Sequence, residues 1–402
     1  MLTTLIRIGL STLLAFSIFS GHQITAQEIV ITVNPSDQEK DPGDPPFVGK
    51  RPAADMAILL DTSNSMDGLI SQAKSQLWTI VQQFANAKKA GKTPAIRVAV
   101  FEYGNTNLPA SEGYIRQVVG LTDDLDKVSE VLFSLTTNGG DEYCGQVINE
   151  ALSRLDWSDE PNAYKAIFIA GNEPFTQGPV NYKESCKRAI ETGVIVNTIH
   201  CGSYQQGVGG KWQLGAQMAE GEYINIDQDQ AVVSIKAPQD KILIELNEKL
   251  NRTYLWFGKK RARGFFRSNQ IKQDQNALLQ LGSAGLGSRA GIKGSSLYSN
   301  VGRDLVDSYK ANNKVLSEVE EDELPEELQK VPAADRAKVI SDMAKQRGQI
   351  QKNIARVNRA RLEYIEKEKS KTANTQSAGS TLGDAVQSAI TKQMKKSGFD
   401  FK

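Results

Sequence analysis

The chain has 402 residues, of which 40% are hydrophobic, 24% charged and 7% aromatic. This balance supports a folded core and excludes wholesale disorder. Its 48 Lys+Arg against 47 Asp+Glu leave a formal net charge of +1, which removes any bulk electrostatic case for nucleic-acid binding. With 2 His and 3 Cys, a zinc centre built from those ligands has too few candidates.

Met1 to Gln27 carries one basic residue, Arg7, followed by an apolar run through Leu13, Leu14, Phe16, Ile18 and Phe19 that ends at Ile24-Thr25-Ala26. The pattern predicts a secretory signal peptide over residues 1–26, and so a periplasmic or secreted protein. No later segment is apolar enough to span a bilayer, so no transmembrane segment is expected after cleavage. Residues 27–53, with Pro35, Pro42, Pro45 and Pro46, read as a linker.

A strand–helix alternation follows over residues 54–232. Apolar runs predict strands at Ala54–Leu60, Ala95–Phe101, Tyr164–Ala170 and Val194–Ile199, with further strands at Tyr114–Val119 and Tyr223–Ile226. Helical spacing predicts helices at Leu69–Ala90, Leu125–Leu135, Val147–Leu155, Tyr182–Glu191 and Trp212–Ala219. Such alternation argues for an α/β fold: a mostly parallel sheet with helices on both faces. Binding sites then lie at the carboxyl ends of the strands.

From 233 to 370 the strand pattern stops and a mainly α-helical region is expected. Ile242–Leu250 reads as a helix, and the basic stretch Lys259–Lys272, with Phe265 and Phe266 inside it, as a solvated loop by default, the alternatives being a contact for anionic lipid or, against the expected export, RNA. Gly282–Gly294 is glycine-rich, Glu318–Glu327 acidic, and Ala333–Lys369 one long helix. Met343, Ile350, Val357 and Tyr364 recur at sevens, which fits packing on neighbouring helices or a coiled coil. Residues 371–402 form a polar tail with a short amphipathic helix, Leu382–Met394. Charge divides at the same boundary. Gln27 to Asp240 has 17 basic and 28 acidic residues, a net of −11, and Lys241 to Lys402 has 30 and 19, a net of +11. Either the halves attract and dock, or an acidic head collects cations while a basic tail meets an anionic surface.

The first strand runs into Asp61-Thr62-Ser63-Asn64-Ser65. One carboxylate and two hydroxyls make an all-oxygen set suited to a hard divalent cation, Mg²⁺, Mn²⁺ or Ca²⁺. In this motif and its element order, residues 55 to 227 resemble the von Willebrand factor A family. The resemblance implies a Rossmann-like sheet with one antiparallel edge strand. It also implies a metal-ion-dependent adhesion site (MIDAS) opened by Asp61, Ser63 and Ser65. That family adds a Thr or acid before the third helix, the position of Asp141 here. It also adds an Asp after the fourth strand, where this chain has Gly171, so Asn172 or Glu173 would substitute.

Strand ends bring Glu102, Cys144, His200 and Cys201 to the same rim, and a Cys144–Cys201 disulfide is expected there. His200 is the only histidine beyond the expected signal peptide, and no Gly-x-Ser-x-Gly turn or Walker sequence occurs, so no catalytic set is expected. Gly285-Leu286-Gly287 follows no convincing strand and is set aside as a nucleotide loop. The expected function is a non-enzymatic exported binding module, whose cation is completed by an acidic side chain of a partner protein. The alternative is an envelope-associated scaffold that self-associates or meets the envelope through the basic C-terminal helices, with a degenerate metal site.

Overall fold

Alternating apolar side chains build the central sheet, because a strand presents successive residues to opposite faces. The computed structural model describes residues 51–229, 232, 234–373 and 381–401. The expected signal peptide, and the linker up to residue 50, lie outside these. The strands are β1 (Ala53–Asp61), β2 (Ala87–Lys88), β3 (Ala95–Tyr103), β4 (Ile115–Thr122), β5 (Tyr164–Gly171), β6 (Ile195–Cys201), β7 (Tyr223–Ile226) and β8 (Asp400–Phe401). The helices are α1 (Asp67–Asn86), α2 (Leu125–Ser134), α3 (Cys144–Arg154), α4 (Tyr182–Glu191), α5 (Tyr204–Gly209) and α6 (Trp212–Met218). Then come α7 (Gln239–Asn251), α8 (Lys260–Lys293), α9 (Leu305–Ala311), α10 (Val315–Glu318), α11 (Glu326–Gln329), α12 (Ala333–Ala373) and α13 (Leu382–Lys396).

Six strands form one sheet in the order β4-β3-β1-β5-β6-β7. All pairs are parallel except β3 with the edge strand β4. On one face Met56, Ile58, Leu60, Val98, Val100 and Phe168 join a core with α1, α2, α13 and the C-terminal helices. On the other, Ala57, Leu59, Phe101, Ile167 and Ile169 pack with α3, α4 and α6. Register aligns Asp61 with Tyr103, Leu60 with Ala170, and Gly171 with His200. The chain order switches direction at β1, which opens a crevice at the carboxyl ends of the strands.

The C-terminal half is helical and docks on this sheet. The basic stretch after Lys259 is helix, not solvated loop, and so is most of the glycine-rich stretch after it. Gly282, at φ +66° and ψ −162°, breaks α8, and Arg289 on the second arm reaches back to Asp274 on the first at 2.5 Å. The chain therefore reverses at Gly282 into a helical hairpin. Glycine allows its second arm to approach other helices. A Cβ on Gly287 would lie 2.6 Å from Asp240 Oδ1, and one on Gly291 2.6 Å from Asn358 Oδ1. The glycines that look like a nucleotide loop are thus helix-packing positions.

Ile340, Ile350, Ile354 and Val357 of α12 are buried in the chain's own cores, so the heptad stripe packs intramolecularly. Ion pairs cross from the basic half to the acidic half, with Arg289 at 2.7 Å from Asp126 and Arg303 at 2.7 Å from Asp124; docking is the outcome. The chain's last helix also covers the sheet. Leu382 N–H donates to Gln72 Oε1 at 2.8 Å, and Tyr164 hydroxyl to Gln393 Oε1 at 2.9 Å, while β8 pairs with β2. Among the described residues no helix is long and apolar enough to cross a membrane.

Candidate functional site

β1 is buried from Ala54 on and delivers Asp61 to the crevice with no exposed surface. The chain turns at once into a short helical turn and α1, so Ser63 and Ser65 fold back over the carboxylate. Asp61 Oδ1 accepts the Ser63 N–H at 2.8 Å, the two serine hydroxyls lie 3.3 Å apart, and Asn172 Nδ2 donates to Ser65 Oγ at 3.2 Å. Asp61 Oδ2 and Asn172 Oδ1 are buried without a hydrogen-bond partner. Burial pushes the Asp61 carboxyl up to about 7, against the pull of the Ser63 and Asn172 donors.

The loop before α3 places its acids differently from the sequence expectation. Asp141 is exposed and accepts the Tyr143 hydroxyl at 3.3 Å. Glu142 is the buried one, facing Asp61, Ser63 and Glu173. Burial, then repulsion from Asp61 and Glu173, drives its carboxyl up to about 8. The register is set by backbone contacts. Asn138 N–H donates to Thr62 O at 2.9 Å, Thr106 N–H to Gly139 O at 2.6 Å, and a Cβ on Gly140 would lie 2.4 Å from Gly104 O. Pinned there, the chain turns side chain 142 inward and side chain 141 outward. Sequence reasoning missed Glu142, because only these contacts decide between adjacent acids.

Gly171 explains itself sterically. A Cβ there would lie 2.5 Å from Tyr103 Oη and 3.0 Å from Asp61 Oδ2. Tyr103 fills the space and donates to Ala170 O at 3.0 Å. The last position of β5 therefore holds no side chain, and a tyrosine hydroxyl sits beside Asp61 instead. Asn172 and Glu173 are positioned through their backbones: His200 Nε2 contacts Asn172 O at 3.2 Å, and Trp212 Nε1 donates to Glu173 O at 2.8 Å. Glu173 also accepts Gln177 Nε2 at 3.4 Å, and Gln177 Oε1 accepts the Glu142 N–H at 3.0 Å. Glu102 is turned away, paired with Arg116 and accepting the Thr62 hydroxyl at 3.3 Å.

The expected Cys144–Cys201 disulfide is absent, and all three cysteines are free and buried. Cys144 lies in the core on one face of the sheet and Cys201 in the core on the other, so the sheet separates the thiols. Cys144 Sγ instead lies 3.8 Å from Tyr103 Oη, and Cys186 Sγ 3.4 Å from Gly215 O.

Among the described residues no three His, Cys, Asp or Glu are grouped to hold a metal. The set is two buried carboxylates, Asp61 and Glu142, with two hydroxyls and an amide oxygen. An all-oxygen set with an orphaned buried carboxylate oxygen fits a hard cation, which would supply the partner that Oδ2 lacks.

Residues 55–213 match the sequence profile of the von Willebrand factor type A domain. No curated protein sequence matches the chain. Among solved structures, the chain is similar to BatB from Bacteroides thetaiotaomicron, at 17% identity and TM-score 0.34, over 44% of this chain and 91% of that one. It is similar to the SpRpn10 VWA domain at 17% identity and TM-score 0.34, over 45% and 99%. It is also similar to proximal thread matrix protein 1 from the mussel byssus, with a zinc-occupied MIDAS motif, at 15% identity and TM-score 0.34, over 44% of this chain and 41% of that one. Profile, strand order and antiparallel edge agree: residues 55–213 are a von Willebrand factor type A domain, followed in this chain by a mainly helical region.

Proposed function

We propose that this domain holds a divalent cation, Mg²⁺, Mn²⁺ or Ca²⁺, and presents it to an acidic side chain of a partner protein. It does so without catalysing a reaction, in an exported protein. The observation that carries the reading is Asp61 Oδ2, a fully buried carboxylate oxygen without a partner. Ser63, Ser65 and Glu142 are the other donors, with Asn172 Oδ1 at the rim. The bound ion would supply an electrophilic centre for an oxygen donor arriving from outside.

Glu142 shapes the expected affinities. Two charged carboxylates already balance a divalent ion, so metal binding is firm, while an incoming acid gains less than at a site with one carboxylate. Glu173 and Asp141 add negative charge nearby, which favours a partner whose acid is flanked by basic residues.

Thermal unfolding in chelator, then with each cation added singly, tests the reading. A native-state ligand at a hundredfold above its dissociation constant adds about 2.7 kcal/mol. A rise in the unfolding temperature that Asp61→Ala removes supports it. No rise with any of the three cations, or a rise that Asp61→Ala leaves intact, overturns it.

A further inference from the structure

We infer that the corner of the α8 hairpin is a docking surface for an anionic lipid bilayer. The inference concerns a different face from the metal site and does not rest on it. Nine large hydrophobic side chains are exposed among the described residues, and four of them, Phe265, Ile271, Leu278 and Leu279, lie on the first arm of α8. Leu279 is 83% exposed, just before the reversal at Gly282. Lys260, Arg261, Arg267 and Lys272 are exposed on the same arm. Its one acid, Asp274, is buried and paired with Arg289 and Lys293. Among the described residues none of these four cations forms an ion pair. The arm thus shows water only cations, uncharged polar groups and apolar side chains.

Charge and shape together select the occupant. Cations interleaved with apolar side chains match a bilayer interface, where the apolar groups enter the acyl boundary and the cations meet anionic headgroups. The most exposed of the apolar side chains, Leu279 at 83%, stands clear of the rest of the protein, so a fluid interface can enclose it where a rigid protein surface would touch it on one side. A second copy would bring the same cations against these. The acidic stretch Glu318–Glu327 meets only the start of the arm, where Arg263 donates to Asp322 O at 2.6 Å. Lys260, Arg261 and Arg267 lie near that end, whereas Lys272 is roughly 14 Å farther along at about 1.5 Å per residue, beyond one screening length of about 8 Å. On α7 alongside, exposed Lys241 and Lys249 balance Glu245 and Glu248.

The test is cosedimentation of the full chain with phosphatidylcholine vesicles that contain or lack phosphatidylglycerol. Binding to the anionic vesicles alone is expected. Leu278→Ser with Leu279→Ser should weaken it at least tenfold, and so should Arg267→Glu with Lys272→Glu. If either pair impairs folding, Leu279→Gln alone decides, at the most exposed position. No binding to anionic vesicles, or binding that all these variants retain, overturns the proposal. So does self-association in sedimentation velocity that Leu279→Gln abolishes while vesicle binding is absent, which would assign the corner to a second copy.

Discussion

Asp126 and Asp274 lie about as deep in the protein as Asp61 and Glu142, but their surroundings differ. Asp126 meets Arg289 at 2.7 Å and the Tyr298 hydroxyl at 2.6 Å. Asp274 meets Arg289 and Lys293, and accepts Asn247 and Asn251 amides at 2.8 and 2.7 Å. Burial alone would raise the Asp274 carboxyl, yet Lys293 and Arg289 hold it far below the ordinary range. At the crevice, among the described residues, no basic side chain plays that part, and both carboxyls are pushed up. Asp126 and Asp274 each have a cationic partner, although Asn247 Oδ1 beside them lacks a hydrogen-bond partner, and such paired charges fix one geometry. An unpaired buried carboxylate has a free energy cost that an arriving ligand can remove. The first kind joins the helical half to the domain, and the second is where the proposed cation would find its donors.

The comparison breaks most visibly at Arg289, which has no exposed surface. Arg289→Met leaves Asp126 and Asp274 buried with fewer partners. Removing one member of a buried charge network costs about 3–5 kcal/mol, so denaturant unfolding should show a loss of that order. A loss under about 1 kcal/mol would mean that the Arg289 network does not hold the two halves together.

Asp61 should respond in the opposite direction. In chelator at pH 8, Asp61→Asn removes a charge that burial penalises, so the variant should be at least as stable as the parent. It should then gain nothing from a divalent ion, where the parent gains about 2.7 kcal/mol at a hundredfold excess over the dissociation constant. The pH dependence has a definite sign. A carboxyl raised in the folded state keeps a proton that the unfolded chain releases above about pH 4. Its contribution to stability is therefore present below that pH and lost as pH rises through about 7 for Asp61 and about 8 for Glu142. Asp274, held low, contributes above about pH 4 and loses that contribution in more acid solution. Unfolding in chelator between pH 5 and 8 should show the decline, and saturating cation should flatten it. A chelated protein that grows more stable from pH 5 to 8 would contradict the raised carboxyls.

How much of this was legible beforehand follows the range of the interactions. The buried strands announce themselves as apolar runs, and Asp61-Thr62-Ser63-Asn64-Ser65 marks the crevice, because both depend on neighbours in sequence. The helicity of Lys260–Lys293 was hidden, since its glycines gain their purpose only against Asp240 and Asn358 on other helices. The sides taken by Cys144 and Cys201 were hidden too. Period-two alternation sets the face of Cys201, but only the crossover of α3 tells that Cys144 covers the other. The role of α13 in covering α1 was also out of reach, because Gln72 and Leu382 are 310 positions apart.

The smallest effect is the most selective, since it turns on one position in the chain. Asp141 and Glu142 are adjacent acids in the loop before α3, and composition cannot tell them apart. The contacts of Asn138, Gly139 and Gly140 with the ends of β1 and β3 turn Glu142 toward Asp61 and leave Asp141 in solvent. Isothermal titration with Mn²⁺ should therefore show a loss of about tenfold or more, equal to about 1.4 kcal/mol, for Glu142→Gln. Asp141→Asn should stay within about twofold, as expected for an exposed charge screened by water and salt. The reverse result would place Asp141 on the ion, which requires the loop to slip by one residue when metal binds. The close approach of Gly140 to the Gly104 carbonyl opposes that slip, so Gly140→Ala, which disturbs the contact, should narrow the difference between the two variants.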